Sequence, residues 1–191
     1  KRTPLSAYAN IRANGLRAVV VNDGDDLLSV NLTDGNREIF MGTHQGMGIR
    51  FAESDVRPMG RVPAGVRGIR LRDGDFVEEV ATIDPAEGND ILVVTDQGFG
   101  KRTAVSEFRV QGRGGIGITL VRLTEKTGNV AGIHHVREDE QLLMVTERGM
   151  MIRFNIDEIR RIGRATQGVR LIRLDDGDRV VSVAITEAED D

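Results

Sequence analysis

Residues 46–75 read GMGIRFAESDVRPMGRVPAGVRGIRLRDGD, and two later segments of the chain repeat this pattern. Residues 98–128 read GFGKRTAVSEFRVQGRGGIGITLVRLTEKTG, and residues 149–178 read GMMIRFNIDEIRRIGRATQGVRLIRLDDGD. The first glycines of the three segments are 52 and 51 residues apart. A fixed period of this kind is the signature of a repeat architecture, in which neighbouring units bury their apolar faces against each other.

A fourth, incomplete copy of the pattern opens the chain. Lys1 to Tyr8 read KRTPLSAY, which matches KRTAVSEF at residues 101–108, and the DGD at residues 23–25 matches the same triplet at 73–75 and 176–178. The chain begins at Lys1 without methionine, so we expect a piece of a longer protein. The expected units are residues 1–39, 40–91, 92–142 and 143–186, with boundaries that are approximate, followed by an acidic, disordered tail at 187–191.

The units are predicted to consist of β-strands, because their apolar segments are short, rich in Val and Ile, and separated by Gly or Asp-Gly turns. The clearest segments are Ala18–Val21, Ile91–Thr95, Ile116–Leu123, Leu142–Thr146 and Val180–Ile185. Residues 52–56, 104–108 and 155–159 could each form a single helical turn but are too short for a stable helix. About four short strands fit into one unit, which predicts an all-β array of three to four propeller-like, four-stranded blades.

Composition excludes several classes of protein. The chain has no cysteine, so disulfide frameworks, cysteine-ligated metal centres and cysteine nucleophiles are excluded. Its longest aliphatic run, Ile91 to Val94, is far shorter than the roughly 20 residues of a membrane span. His44, His134 and His135 lack a ligand-like spacing with carboxylates and are interpreted as surface or turn residues. We expect no catalytic residue, metal or cofactor in this chain, and no membrane partner.

Arginines recur at four matching positions of the three full units. They are Arg50, Arg102 and Arg153 at the first position, Arg57, Arg109 and Arg160 at the second, Arg61, Arg113 and Arg164 at the third, and Arg70, Arg122 and Arg173 at the fourth. Lys101 adjoins the first position. Several of these arginines stand between two apolar residues. On a strand, such neighbours face the core while the guanidinium group is expected to face solvent.

Evenly spaced guanidinium groups on a curved surface suit the phosphate backbone of duplex DNA, which can be bound without reading its sequence. The net charge of −4 does not argue against this partner, because four acids lie in the last five residues. The alternative is that the arginines solvate the sheet or pair with nearby acids, namely Glu53, Asp55, Glu107, Asp157 and Glu158. With six Phe and one Tyr, the chain lacks the stacking surfaces typical of single-strand binders.

A glycine cluster, QGRGGIG, occupies residues 111–117. Gly112, Gly114 and Gly117 formally satisfy the G-x-G-x-x-G pattern, but a dinucleotide site requires a helix after the loop, and the following residues are predicted to form a strand and turn. Consecutive glycines beside an arginine can direct backbone N–H groups at a phosphate. The alternative is a flexible turn between strands.

The repeated phrases resemble the C-terminal domain of bacterial DNA gyrase A over essentially the whole chain except the acidic tail. The phrases that carry the resemblance are IRFAESDVRPMGR, GVRGIRL, GFGKRTAVSEFRVQGRGGIGI, GRATQGVRLIRL and the DGD turns. The resemblance implies a β-pinwheel, a disc usually of six propeller-like blades in which neighbours exchange strands. It also implies that DNA bends around a basic rim, in support of ATP-dependent negative supercoiling by the holoenzyme.

The resemblance also implies partners, a location and a weakened motif. The partners are double-stranded DNA, the remainder of gyrase A, and gyrase B, in the bacterial cytoplasm at the nucleoid. Strand cleavage and ATP hydrolysis belong to other parts of the enzyme.

The family's signature box normally lies in the first blade, and this chain resembles a domain that lacks its first blades. Gln111, Arg113, Gly114, Gly115 and Gly117 match the box, whereas Gly112 and Ile116 stand where basic residues are usual.

Two other functions are left open. The first is the matching domain of topoisomerase IV, whose boxes are more degenerate. The second is a propeller-type protein-interaction scaffold, which predicts binding that is insensitive to salt. The acidic tail either competes with DNA for the basic rim, as the resemblance implies, or only solubilises the terminus.

Overall fold

The computed structural model describes residues 1–11, 13–87 and 89–187, so residues 188–191 of the predicted acidic tail lie outside the described part. The strands are β1 (Glu38–Thr43), β2 (Met47–Ala52), β3 (Val77–Ile83), β4 (Asp90–Thr95), β5 (Phe99–Ala104), β6 (Ile118–Thr119), β7 (Val130–Val136), β8 (Glu140–Thr146), β9 (Met151–Asn155), β10 (Val169–Arg170) and β11 (Val180–Glu187). The 3-10 turns are Leu5–Tyr8, Glu53–Asp55, Val105–Glu107 and Ile156–Glu158. No helix in these described ranges is long and apolar enough to cross a membrane.

The strands form three antiparallel sheets, with the orders β3-β1-β2-β6, β10-β5-β4-β7 and β11-β8-β9. Each sheet is one blade. Strand β6 pairs with β2 of the preceding blade, and β10 pairs with β5 in the same way. Neighbouring blades therefore exchange strands, and the all-β, pinwheel-type fold expected from the sequence is confirmed.

Each blade is built on one hairpin with the local sequence Thr-x-x-Gly. The N–H groups of Gly46, Gly98 and Gly149 each donate to the carbonyl of the threonine three residues earlier, at 2.9 Å in every case. All three glycines have a positive φ, between 73° and 85°, which glycine adopts without steric cost. The repeated glycine of the sequence pattern is thus the residue that closes the hairpin of every blade.

The core lies between the blades, and β4 shows this most clearly because both of its faces are buried. Ile91 and Val93 pack into an apolar cluster with Phe40 and Phe108 of the first two blades. Leu92 and Val94 point the other way, into a cluster that includes Leu142 of the third blade. A continuous aliphatic run is typical of a strand that is covered on both faces. The central blade is therefore enclosed by its two neighbours.

The structure corrects two of the predicted strands. Residues 18–21 form no strand, and the described residues between Ala9 and Arg37 consist of turns and irregular backbone. Only Ile118 and Thr119 of the predicted strand at 116–123 are paired in a ladder. The single helical turns predicted at 52–56, 104–108 and 155–159 are confirmed as 3-10 turns. The division into four units remains a prediction.

Candidate nucleic-acid interface

Most of the arginines are best described by their place at the boundaries between blades. We name two of these boundaries. Seam A is the boundary around the β2–β6 pair, and seam B is the boundary around the β5–β10 pair. At each seam the chain of one blade contacts the 3-10 turn and the glycine-containing loop of the next.

The arginine at the first repeat position is largely buried at seam A and buried at seam B. Arg50 donates from Nε to Glu38 at 2.5 Å, and its Nη1 donates to the carbonyl oxygens of Val105 and Phe108 across seam A, at 2.9 and 3.1 Å. Its side chain is only 12% exposed. Three hydrogen bonds to fixed oxygens hold this guanidinium in one place.

Arg102 repeats this arrangement at seam B. Its Nε donates to the carbonyl of Ile159 at 2.7 Å and its Nη2 to the carbonyl of Asp157 at 3.2 Å. Its Nη1 donates to Glu138 at 2.6 Å and lies 3.5 Å from Asp90. The expectation that the first-position arginines face solvent is therefore wrong for Arg50 and Arg102. Each lies opposite an apolar residue of its sheet, Phe40 or Leu92, on a face that the next blade covers.

Lys101, predicted with the same group, is also buried. Its ammonium group donates to the carbonyl oxygens of Gly163 and Arg164 across seam B, at 2.8 and 2.6 Å. Burial away from water lowers its pKa from 10.5 to about 8. Lys101 holds the loop of the next blade and is not exposed to a partner. Arg153, the third arginine of the first position, lies exposed on β9.

The arginines at the third repeat position bind in the opposite direction, onto the preceding unit. Each donates from Nη1 to a carbonyl oxygen one unit earlier in the chain. The pairs are Arg61 to Arg17 at 3.0 Å, Arg113 to Arg67 at 2.9 Å and Arg164 to Thr119 at 3.1 Å. These arginines therefore join successive units while remaining partly exposed at the surface.

The arginines at the second and fourth repeat positions face solvent, as expected for the array, although none of them lies on a strand. All six are exposed, and within the described ranges none of them has a side-chain hydrogen bond or ion pair. They are Arg57, Arg109, Arg160, Arg70, Arg122 and Arg173. Of the five acids named as alternative partners, Glu53 forms an ion pair, and its partner is Arg2 at 3.4 Å. No carboxylate in the described part of the chain forms an ion pair with these six cations.

Backbone contacts place two of the six arginines beside seam A. The guanidinium of Arg113 donates from Nε to the carbonyl of Asp55 at 3.0 Å, two residues before Arg57. The N–H of Arg70 donates to the carbonyl of Gly115 at 2.8 Å. Asp55 and Arg70 both contact the 111–117 loop, so Arg57 and Arg70 lie beside it along the chain. We call Arg57, Arg70 and Arg113 the basic cluster of seam A.

Seam B carries an equivalent cluster. The N–H of Arg164 donates to a carboxylate oxygen of Glu107 at 3.1 Å, two residues before Arg109. The N–H of Arg122 donates to the carbonyl of Thr166 at 3.0 Å. The Arg122 contact repeats the Arg70 contact of seam A, whereas Asp55 and Glu107 are contacted at equivalent positions through different atoms. The exposed arginines therefore recur at equivalent places along the array.

The glycine loop at 111–117 is part of seam A. The N–H of Gly114 donates to the carbonyl of Gly68 at 2.5 Å, and Gln111 donates to the carbonyl of Arg50 at 2.9 Å. Gly117 has φ +73°, and a Cβ atom there would lie 2.4 Å from the carbonyl oxygen of Gly48. The glycines of this loop allow close approach of two backbones, and the Gly114 N–H already has a partner within the chain.

Sequence reasoning missed two kinds of residue. Arg67 and Arg72 are exposed and extend the cluster near Arg70, but arginine does not recur at these positions in every unit, so the periodicity gave no signal. Arg161 lies 2.8 Å from Asp90 and extends the buried charge network at Arg102. That network depends on residues far apart in sequence and leaves no local motif.

The histidine interpretation is wrong for two of the three residues. His134 and His135 lie on β7 and are partly buried, and burial lowers the pKa of both imidazoles. His44 lies in the β1–β2 turn, as predicted, and stacks on Phe76 with ring centroids 4.4 Å apart. Among the described residues, no group of three His, Asp or Glu side chains is placed to hold a metal ion.

Comparisons with known proteins agree with this architecture. The family described as DNA gyrase C-terminal domain, beta-propeller, matches residues 1–34, 37–84, 89–137 and 140–187. The DNA gyrase A protein of Staphylococcus epidermidis is 46% identical over the whole chain, which covers 21% of that relative. The same protein of Staphylococcus aureus is 44% identical, and the chain covers 22% of it. The chain thus spans about a fifth of the length of these relatives.

Two solved structures are similar over most of the chain. The C-terminal domain of a DNA topoisomerase IV aligns with a TM-score of 0.91 and 29% identity, covering 98% of this chain and 58% of that one. A DNA gyrase A C-terminal domain aligns with a TM-score of 0.79 and 28% identity, covering 90% and 58%. The strand exchange, the hairpin glycines and the family match lead to one conclusion: this chain belongs to the DNA gyrase C-terminal domain family.

Proposed function

We propose that this chain binds, bends and wraps duplex DNA without sequence preference. In this role it supports ATP-dependent negative supercoiling by a gyrase holoenzyme, formed with the remainder of gyrase A and with gyrase B at the bacterial nucleoid. The chain itself contributes no catalytic group. Its task is to hold DNA against a curved basic surface.

The observation that supports this function is the set of six exposed arginines at the second and fourth repeat positions. They have no acidic partner within the described ranges, and they recur at equivalent positions of successive repeat units. Guanidinium groups bind phosphate oxygens through two parallel hydrogen bonds, and such contacts position a duplex without reading its bases. Successive blades would therefore contact successive stretches of one DNA backbone.

Charge reversal tests this assignment. In the variant Arg57→Glu/Arg109→Glu/Arg160→Glu, three exposed cations become anions, so we expect duplex affinity to fall by at least about 100-fold at moderate salt. The fold should persist because these side chains make no hydrogen bond or ion pair within the described structure. Fluorescence anisotropy with a labelled duplex measures the affinity.

A control variant carries the same change in net charge. Arg137, Arg148 and Arg179 are exposed and already bonded within the chain, to Glu140, to the carbonyl of Asp176 and to Glu147. Replacement of all three by Glu should weaken binding far less than the first variant. Equal losses in both variants would show that net charge alone matters, and the assigned surface would then be wrong.

The matching domain of topoisomerase IV is a second candidate, because the topoisomerase IV structure aligns with a higher TM-score than the gyrase A structure, 0.91 against 0.79. The two candidates differ in the activity of the complete enzyme. A gyrase carrying this domain should introduce negative supercoils into relaxed plasmid in the presence of ATP. A topoisomerase IV carrying it should only relax or decatenate DNA.

A further inference from the structure

The buried arginines at the seams contact the backbone next to the exposed arginines. Arg50 donates to the carbonyl of Phe108, which immediately precedes Arg109. Arg102 donates to the carbonyl of Ile159, which immediately precedes Arg160. At both seams, the guanidinium group of an arginine on one blade therefore donates a hydrogen bond to the residue before an exposed arginine on the next blade.

The backbones of Arg50 and Arg102 also form hydrogen bonds to the same segments of the next blade. The N–H of Arg102 donates to the carbonyl of Arg160 at 3.2 Å, and its carbonyl accepts from Ile162 at 2.9 Å. At seam A, the carbonyl of Arg50 accepts from Gln111 at 2.9 Å. The short segment that carries each exposed arginine is therefore fixed by the side chain and the backbone of a single residue on the preceding blade.

We propose that Arg50 and Arg102 are positioning residues, which fix the exposed Arg109 and Arg160 on the following blade at the spacing required by the DNA backbone. The inference rests on the proposed function. Groups that are held in their binding geometry before a ligand arrives lose less conformational freedom on binding. Rigid placement across each seam would make the contacts of successive blades add up on one curved duplex.

Arg57 provides an internal comparison. The corresponding residue on the preceding unit is Arg2, whose guanidinium lies 3.4 Å from the Glu53 carboxylate. The side-chain contact therefore differs from that of Arg102, whereas the backbone contact recurs, since the N–H of Met59 donates to the carbonyl of Arg2 at 2.9 Å. This boundary is separate from seam B, where Arg102 lies. The contribution of Arg57 to DNA binding should not depend on Arg102.

A double-mutant cycle on the whole chain tests the proposal, with duplex affinity as the readout. Arg160→Gln should weaken binding by about five-fold when Arg102 is present, the loss expected for one phosphate contact. In the Arg102→Gln background, the same change should weaken binding less than about two-fold, because an unfixed Arg160 contributes little. Arg57→Gln should cost about five-fold in both backgrounds, since Arg57 does not depend on seam B.

The outcomes separate this inference from the proposed function. If Arg160→Gln has no effect in the unmodified chain, the proposed DNA surface is wrong. If Arg160→Gln weakens binding equally in both backgrounds, the proposed DNA-binding surface is supported and the positioning role of Arg102 is refuted. Arg102→Lys distinguishes a charge effect, because an ammonium group retains the charge but cannot span the carbonyls of Ile159 and Asp157. Full rescue by lysine would also refute positioning.

Thermal unfolding confirms that each variant is folded under the binding conditions. Should Arg102→Gln fail to fold, seam A supplies the equivalent cycle, with Arg50→Gln and Arg109→Gln as the coupled pair and Arg160→Gln as the uncoupled comparison. At seam B, the cycle is then measured with Arg102→Lys in place of Arg102→Gln, again with duplex affinity as the readout. Absence of coupling in these cycles overturns the proposal.

Discussion

At the residue scale, the same side chain serves two purposes in this protein. Arg50 and Arg102 are buried and bonded across seams, whereas Arg57, Arg109 and Arg160 are exposed with no side-chain partner in the described ranges. A buried guanidinium is tolerated only when its donors are satisfied, and each seam supplies carbonyl and carboxylate oxygens for this purpose. Arginine therefore stabilises the array at one repeat position and remains available to a ligand at another.

The sequence revealed the positions of the arginines but not all of their environments. Ile49-Arg50-Phe51 alternates as a half-exposed strand does, which predicts a solvent-facing guanidinium. In the structure, the face of Arg50 is covered by the next blade, so both faces of β2 are inside. The sequence of a single strand does not show which of its residues meet a neighbouring blade.

Lys101 predicts a pH dependence of stability. Its pKa is about 8 in the folded chain and 10.5 as the reference for the unfolded chain, so between these values the unfolded state binds more protons. The free energy of unfolding should therefore gain a contribution that rises with pH across this window, on the order of 3 kcal/mol in total. Urea unfolding of the chain and of Lys101→Met, at several pH values between about 7 and roughly 10.5, isolates this contribution as the difference between the two.

Lys126→Met is the matched control, because Lys126 is exposed. Its difference from the unmodified chain should stay nearly constant over the same pH range. A flat difference for Lys101→Met as well would mean that the Lys101 ammonium is not buried in solution.

At the element scale, the seam strands are too short to be recognised by periodicity. Residues 116–123 read as one apolar strand, but only Ile118 and Thr119 pair with β2. Beyond them the chain turns into the core, where Leu120 is fully buried and its N–H donates to the carbonyl of Gly46. The hairpins were predictable because their turn residues recur, whereas strand exchange depends on contacts between units that lie about 50 residues apart.

The glycines of the 111–117 loop predict a sharp contrast between two neighbouring substitutions. Gly117→Ala should destabilise the chain by about 2–4 kcal/mol, because φ is positive and the new Cβ would collide with the backbone of β2. Gly112→Ala should leave stability unchanged or raise it by up to about 1 kcal/mol, since nothing lies within 4 Å of its Cβ position. Thermal unfolding compares the two variants.

Equal stability of these variants would contradict the close approach at seam A. A second pair of measurements extends the comparison to DNA binding. If Gly112→Ala retains full duplex affinity, the flexibility of this glycine does not contribute to DNA binding.

At the scale of the whole molecule, the repeat determines where the exposed arginines lie. The blades bury their faces against their neighbours. The bonds from Arg50 and Arg102 to the residues before Arg109 and Arg160 occur at both seams. The exposed arginines therefore recur with the period of the repeat. The family, the fold class and the repeated cations could all be predicted from sequence, because they depend on residue identity and spacing. The separation of seam arginines from surface arginines required the packing of one blade on another.

The dependence of duplex affinity on salt tests the central claim most directly. If the six exposed arginines each neutralise one phosphate, the logarithm of the association constant should fall linearly with the logarithm of salt concentration, with a slope of about −5. The variant with Glu at positions 57, 109 and 160 should lose at least half of that slope. A slope near zero, or one that the variant leaves unchanged, would contradict the binding of DNA by this arginine series.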